Sequence, residues 1–104
     1  MSISTTCRKV IFDDGILSAE CLKADGKTYV MSSISLDDYL GNVNGVFIEG
    51  GKNFSQAAKN VGIFDGVLYA KLRGPGNEFV DAKFDLHKLI TNNDGILSAT
   101  VAGR

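Results

Sequence analysis

Three observations predict an all-β fold with internal pseudo-twofold symmetry. First, the stretch SLDDYLGNVNG at 35–45 returns as DLHKLITNNDG at 85–95, inside a match that spans the whole chain. Ile3, Val10, Asp14-Gly15, Leu17 and Ala19 meet Phe54, Val61, Asp65-Gly66, Leu68 and Ala70 at an offset of 51. Past a one-residue gap near Gly26, Val30, Ile34, Leu36, Asn42 and Gly45 meet Val80, Phe84, Leu86, Asn92 and Gly95 at an offset of 50. Second, Asp-Gly or Asn-Gly pairs occur at 14–15, 25–26, 44–45, 65–66 and 94–95. These pairs tolerate the positive φ of tight hairpin turns. Third, the segments between them alternate with period two, the signature of half-buried strands. Two copies of about fifty residues, 1–50 and 51–104, are too few for a solenoid. They predict one compact domain over 1–104.

The elements follow in order within each copy. A segment carrying Val10 or Val61 runs to the first Asp-Gly turn. The next strand places Leu17, Ala19 and Cys21 on one face, or Leu68, Ala70 and Leu72 in the second copy. A third strand aligns Val30, Ser32, Ile34 and Leu36. Its counterpart aligns Val80, Ala82, Phe84 and Leu86, with Asp81, Lys83 and Asp85 on the other face. Ser35 or Asp85 is then positioned to cap a single helical turn. Asn44-Gly45 or Asp94-Gly95 turns the chain into a last strand, so the repeated clause is a corner between two hairpins. Cys7 and Cys21 correspond to Ala58 and Leu72. Where the second copy has apolar packing, the first has either a disulfide or two buried thiols. A bridge closing so short a loop would contribute about 3 kcal/mol in the chain-entropy model.

Composition narrows the function. The 104 residues are 44% hydrophobic and 22% charged, which suits a packed core rather than disorder. The net charge of −1 leaves no basic stripe for nucleic acid, and no apolar run reaches the length of a membrane span. MSISTTCRKV has no apolar stretch after a basic start, so no secretory signal is expected and the compartment stays open. The single histidine, His87, aligns with Asp37, an ordinary turn residue, and reads as structural or exposed. It supports no catalytic triad, and no metal-ligand spacing or cofactor motif is present. Gly50-Gly51 and Gly74-Pro75-Gly76 lack the strand–helix setting of a phosphate loop. Asp13-Asp14 and Asp37-Asp38 fall in turns, where aspartate serves local hydrogen bonding. No enzyme is expected. Loops rich in Asn, Asp, Thr, Ser, Lys and Arg would suit vicinal sugar hydroxyls, or simply solvent.

The stretches CRKVIFDDGILSAEC, SSISLDDYLGNVNG, GGKNFSQAAKN and FDLHKLITNNDG, in this order and spacing, are similar to the cyanovirin-N homologue family of mannose-binding lectins, and most like its fungal members. The resemblance covers essentially the whole chain. It implies an all-β fold of two pseudo-symmetric lobes, each a three-stranded sheet plus a β-hairpin, with strands crossing between the sequence halves. It implies non-catalytic, metal-free binding of mannose-containing glycans, typically α1-2-linked, at two sites at opposite ends of an elongated molecule. The family's cysteine pair is spaced as Cys7 and Cys21 are.

Carried over by position, the first site comprises Ser2, Thr5, Thr6, Lys23, Ala24, Asp25, Thr91, Asn92, Asn93 and Asp94. The second, with the fuller set of donors, comprises Gly41, Asn42, Asn44, Lys52, Asn53, Gln56, Arg73, Gly74, Asn77 and Glu78. Leu22 and Ala24 in the first, and Gly41, Ala57 and Gly74-Pro75-Gly76 in the second, stand where the family pattern is polar. The resemblance also implies a monomer that can exchange halves through Gly50 and Gly51 into a swapped dimer. A different class, a tandem β-motif calcium-binding or structural module of the βγ-crystallin kind, would use the Asp- and Asn-rich loops as oxygen ligands, although these lack calcium-loop spacing.

Overall fold

The structure, a computed structural model, describes residues 3–100. A short helix, α1 (Ile3–Thr6), leads into three strands: β1 (Cys7–Asp13), β2 (Ile16–Leu22) and β3 (Tyr29–Ser35). A single 3-10 turn, Leu36–Asp38, precedes the hairpin β4 (Leu40–Val43) and β5 (Val46–Glu49). The second repeat has the same order: a 3-10 turn (Phe54–Ala57), β6 (Ala58–Phe64), β7 (Val67–Arg73), β8 (Phe79–Asp85), a 3-10 turn (Leu86–Lys88), β9 (Ile90–Asn93) and β10 (Ile96–Ala99). Each repeat thus forms an antiparallel three-stranded sheet, β1-β2-β3 or β6-β7-β8, and a separate hairpin.

Turn chemistry explains most of this. Asp14-Gly15, Asn44-Gly45, Asp65-Gly66 and Asp94-Gly95 all hold positive φ at both positions, the requirement of a two-residue hairpin loop. The fifth pair departs from expectation. Only Gly26 has positive φ, and Lys23–Thr28 forms a wider loop closed by Lys23 N–H donating to the Thr28 carbonyl at 2.8 Å. Gly74–Glu78 is its shorter equivalent, with Asn77 in the left-handed position. Capping also divides unevenly. Asp85 accepts from His87 N–H at 3.0 Å, whereas the Ser35 hydroxyl makes no cap bond. Two matching irregularities, at Lys9 in β1 and Asn60 in β6, are bulges with positive φ.

The hairpins cross over. The β9-β10 pair lies against β3, and β5 lies against β8, so each sheet is covered by the hairpin of the other repeat. Leu97 N–H donates to Ser32 Oγ at 3.0 Å across the first of these contacts. The core includes the inward residues expected of the central strands and corners: Leu17, Ala19, Cys21 and Leu36 from one repeat, and Leu68, Ala70, Leu72 and Leu86 from the other. Val30, Ile34, Val80 and Phe84 are half-buried, while Leu40, Phe47, Leu89, Ile90 and Leu97 join from the hairpins and the turns before them. Phe54 is fully buried where the repeats meet. Its ring lies 5.8 Å from Phe12 and 5.4 Å from Phe47, and Phe47 reaches Phe84 at 6.3 Å. The whole measures 49 × 28 × 18 Å.

Cys7 and Cys21 are directly opposed across β1 and β2. Both are free thiols in this structure, Cys21 buried and Cys7 half-buried, and their side chains face each other. Burial first, then the neighbouring Cys7, pushes the Cys21 thiol up to about 12, which keeps it protonated and unreactive at neutral pH.

Candidate functional site

The two sets of residues singled out in the sequence gather into two clusters related by the repeat. Ser2 lies outside the described residues. In the first cluster, α1, the 23–28 loop and the β9-β10 hairpin meet. In the second, the 3-10 turn at 54–57, the 74–78 loop and the β4-β5 hairpin meet.

The repeated asparagine builds both junctions. Asn42 Nδ2 donates to the Arg73 carbonyl at 3.0 Å, and its Oδ1 accepts from Gly45 N–H at 2.9 Å. Asn92 does the same with the Leu22 carbonyl at 2.8 Å and Gly95 N–H at 2.8 Å, and also donates to Thr6 Oγ1 at 3.1 Å. Each side chain closes its own turn and ties it to the end of the other repeat's central strand. Asn92 is only 1% exposed. The side-chain amides of both carried-over residues are engaged in holding the clusters together. Gly41 has a steric reason too, since a Cβ there would sit 2.9 Å from Lys52 N.

A second pair of ties was not foreseen. Asp37 accepts from Ser55 N–H at 3.0 Å and from the Ser55 hydroxyl in a short bond. At the equivalent position His87 Nε2 bonds Ser4 Oγ at 2.8 Å, while Nδ1 contacts Asp85 Oδ1 at 2.7 Å. Asp37 is therefore more than a turn residue, and His87 is structural as expected. The signal was the alignment itself: Asp37 with His87 and Ser55 with Ser4 exchange partners across the repeat.

The clusters differ at their rims. Around the first, Asp94 Oδ1 accepts from Ala24 N–H at 2.8 Å. Asp25 accepts from Thr28 Oγ1 at 2.6 Å and from Lys27 and Thr28 N–H at 2.9 Å, bonds that hold its carboxyl down at about 2. Thr91 Oγ1 and Asn93 Nδ2 both reach Ser98 Oγ, at 3.1 and 3.3 Å. Lys23 is half-buried.

Around the second, Asn44 occupies the place of Asp94, but Pro75 occupies the place of Ala24 and has no N–H to offer. Among the described residues, the side chains of Asn44, Asn53, Gln56 and Asn77 make no hydrogen bond, and all four are exposed. Lys52 Nζ reaches the Asp38 carbonyl at 3.4 Å, Arg73 lies over the Phe79 ring at 5.7 Å, and Glu78 folds back over Gly74 and Gly76. The second rim thus offers several uncommitted amides, where the first has most of its side chains bonded inward. Both are loop surfaces. Among the described residues no three His, Cys, Asp or Glu side chains group as a metal site.

The comparisons with known proteins fit this geometry. A model described as the CVNH domain matches residues 3–98. A cyanovirin-N homolog from Tuber borchii is 35% identical over 64% of this chain, which spans 65% of that protein, slightly less than two thirds. Another from Neurospora crassa is 31% identical over 81% of each chain. Among solved structures, a designed cyanovirin-N homolog lectin superposes with a TM-score of 0.83 at 33% identity, covering 96% of this chain and 100% of its own. A MoCVNH3 variant in complex with (N-GlcNAc)4 gives 0.82 at 25% identity over 93% and 95%. A microvirin:mannobiose complex gives 0.73 at 28% identity over 97% and 98%.

Proposed function

The chain belongs to the CVNH domain family, and from that membership we propose that it is a non-catalytic lectin for mannose-containing oligosaccharides, α1-2-linked ones foremost, with the second cluster as its principal site. Carbohydrate binding is supported by the sugar complexes of similar proteins, and mannose in particular by the mannobiose complex. The observation that carries the choice of site is the Pro75 substitution of the repeat. It removes the N–H that in the first cluster captures Asp94, and so leaves the Asn44 carboxamide free to face a hydroxyl pair with one donor and one acceptor. The exposed Asn53, Gln56 and Asn77 add further uncommitted amides to the candidate set, and Arg73 and Lys52 add cationic donors.

Titration of α1-2-mannobiose into isotope-labelled protein tests this. The amides of Asn44, Asn53, Gln56 and Asn77 are expected to shift first. Asn44→Ala should weaken binding about tenfold, one hydrogen bond's worth. Pro75→Ala should also weaken it, by restoring the competing N–H. Shifts confined to Thr5, Thr6 and Asn93 would move the site to the first cluster. No shift with millimolar mannobiose, but binding of (GlcNAc)4, would overturn the mannose reading.

A further inference from the structure

The geometry points to a third binding site, on the outer face of β6-β7-β8, for an oligosaccharide carrying a single uronate. A groove of about 510 Å³ runs along this face, away from both clusters, lined by Asn60, Tyr69, Lys71, Asp81 and Lys83. This volume is in the range of small-ligand sites and accommodates about two pyranose rings. A second depression, of about 390 Å³, continues it past Tyr69 and Lys83 toward Lys88.

The repeat provides an internal control. Gly62, Tyr69 and Lys83 are neighbours across the three strands. Their equivalents in the first repeat are Ile11, Ser18 and Ser33. There Ile11 stands on the face, 58% exposed, and Ser18 and Ser33 bond each other at 2.8 Å. In the second repeat Gly62 leaves its place open, with nothing within 4 Å of where a Cβ would be, and the Tyr69 ring is 44% exposed beside the gap. The fold therefore does not require this ledge, since the sister sheet lacks it.

The chemistry of the groove selects its occupant. A pyranose ring has an apolar C–H face that packs on an aromatic ring, and an edge of hydroxyls. Tyr69 supplies the ring. Asn60 and the highly exposed Asp81 carboxylate supply partners for hydroxyls. Charge supplies the acid group. Lys71 is neutralised by Asp81 at 2.9 Å, and Lys59 lies over the Phe79 ring at 4.2 Å. Within the 510 Å³ groove the exposed Lys83 ammonium has no partner among the described residues, so one cation is available there for one carboxylate. Densely anionic chains and acidic peptides fit less well, because Asp81 and Asp85 face the same groove.

The probe is an aldobiouronic acid, glucuronate linked to one neutral pyranose, with its carboxyl-reduced form as control. In labelled protein the acid should shift amides at 60–62, 69–71 and 81–83, and the reduced form should bind at least fivefold more weakly. Lys83→Gln should abolish that preference. Gly62→Ile, which gives this face the residue of the sister sheet, should remove binding. It should leave the amide resonances of the four Asp/Asn-Gly turns unchanged, showing that the fold persists. No shift at millimolar acid, equal binding of the reduced form, or binding undiminished in Gly62→Ile would each overturn the proposal.

Discussion

At the scale of single residues, position decides what a polar side chain is for. Asn42 and Asn92 enter the candidate sites through the resemblance, and the sequence offers no objection, because an asparagine in a loop looks the same whether it is offered outward or bonded inward. The structure shows both amides engaged in turn closure and inter-repeat ties. Asn44 and Asp94 differ for a reason that was legible, since proline lacks an N–H, but only after the register of the repeat placed Pro75 opposite Ala24. Asp25 gives a direct test of such inward bonding. Its carboxylate accepts from Thr28 Oγ1 and two backbone N–H groups, and its pKa falls from 3.8 to about 2. The folded value lies below the unfolded one. The 23–28 loop should therefore keep this contribution above pH about 4 and lose it as pH falls toward 2. Carboxyl resonances followed by NMR should give an Asp25 midpoint near 2; a midpoint near 3.8 would mean that the loop bonds do not persist in solution.

At the scale of elements, turn chemistry was the most readable feature. Four Asp-Gly or Asn-Gly pairs became two-residue hairpins, because both residue types accept the left-handed region that the strand twist demands. The 25–26 pair did not, since its strands end earlier and the loop is held by side-chain bonds instead. The bulge at Lys9 left no trace in the sequence, because lysine does not announce a positive φ, whereas its counterpart Asn60 is a residue type that adopts one readily. The hairpin turns also carry packing. A Cβ on Gly95 would lie 2.5 Å from Val30 Cγ2, and one on Gly45 would lie 2.3 Å from Val80 Cγ2. Gly26 has similar positive φ but nothing within 4 Å. Gly26→Ala should thus cost only the left-handed backbone term, about 1–2 kcal/mol. Gly45→Ala and Gly95→Ala should cost visibly more in urea denaturation. Equal costs at all three would show that the hairpins do not press on the opposite sheets.

At the scale of the whole molecule, strand alternation and the repeat identified the core positions of the three-stranded sheets but not those of the hairpins, such as Leu40, Phe47, Ile90 and Leu97, and the resemblance supplied the crossing of strands between halves. Alternation alone could not have supplied it, because an apolar face does not state which hairpin will cover it. Phe54 sits where the two repeats' aromatic rings converge. Phe54→Ala should cost about 3–5 kcal/mol, the usual penalty for emptying a large core site. Because each sheet is covered by the other repeat, the loss should appear as one lowered unfolding transition in calorimetry. Two separated transitions would show the lobes to be independent.

The crossed hairpins also bear on how such a chain could have arisen. A solitary fifty-residue unit would leave its sheet bare, since its own hairpin reaches away from it. Two such units on separate chains would complete each other, and their folding would depend on how often they met. Fusing them through Gly50-Gly51 makes the encounter intramolecular, at an effective concentration in the millimolar range that short links provide. Dilution no longer threatens the core. Each copy's corner is then free to drift in sequence, provided that its asparagine stays.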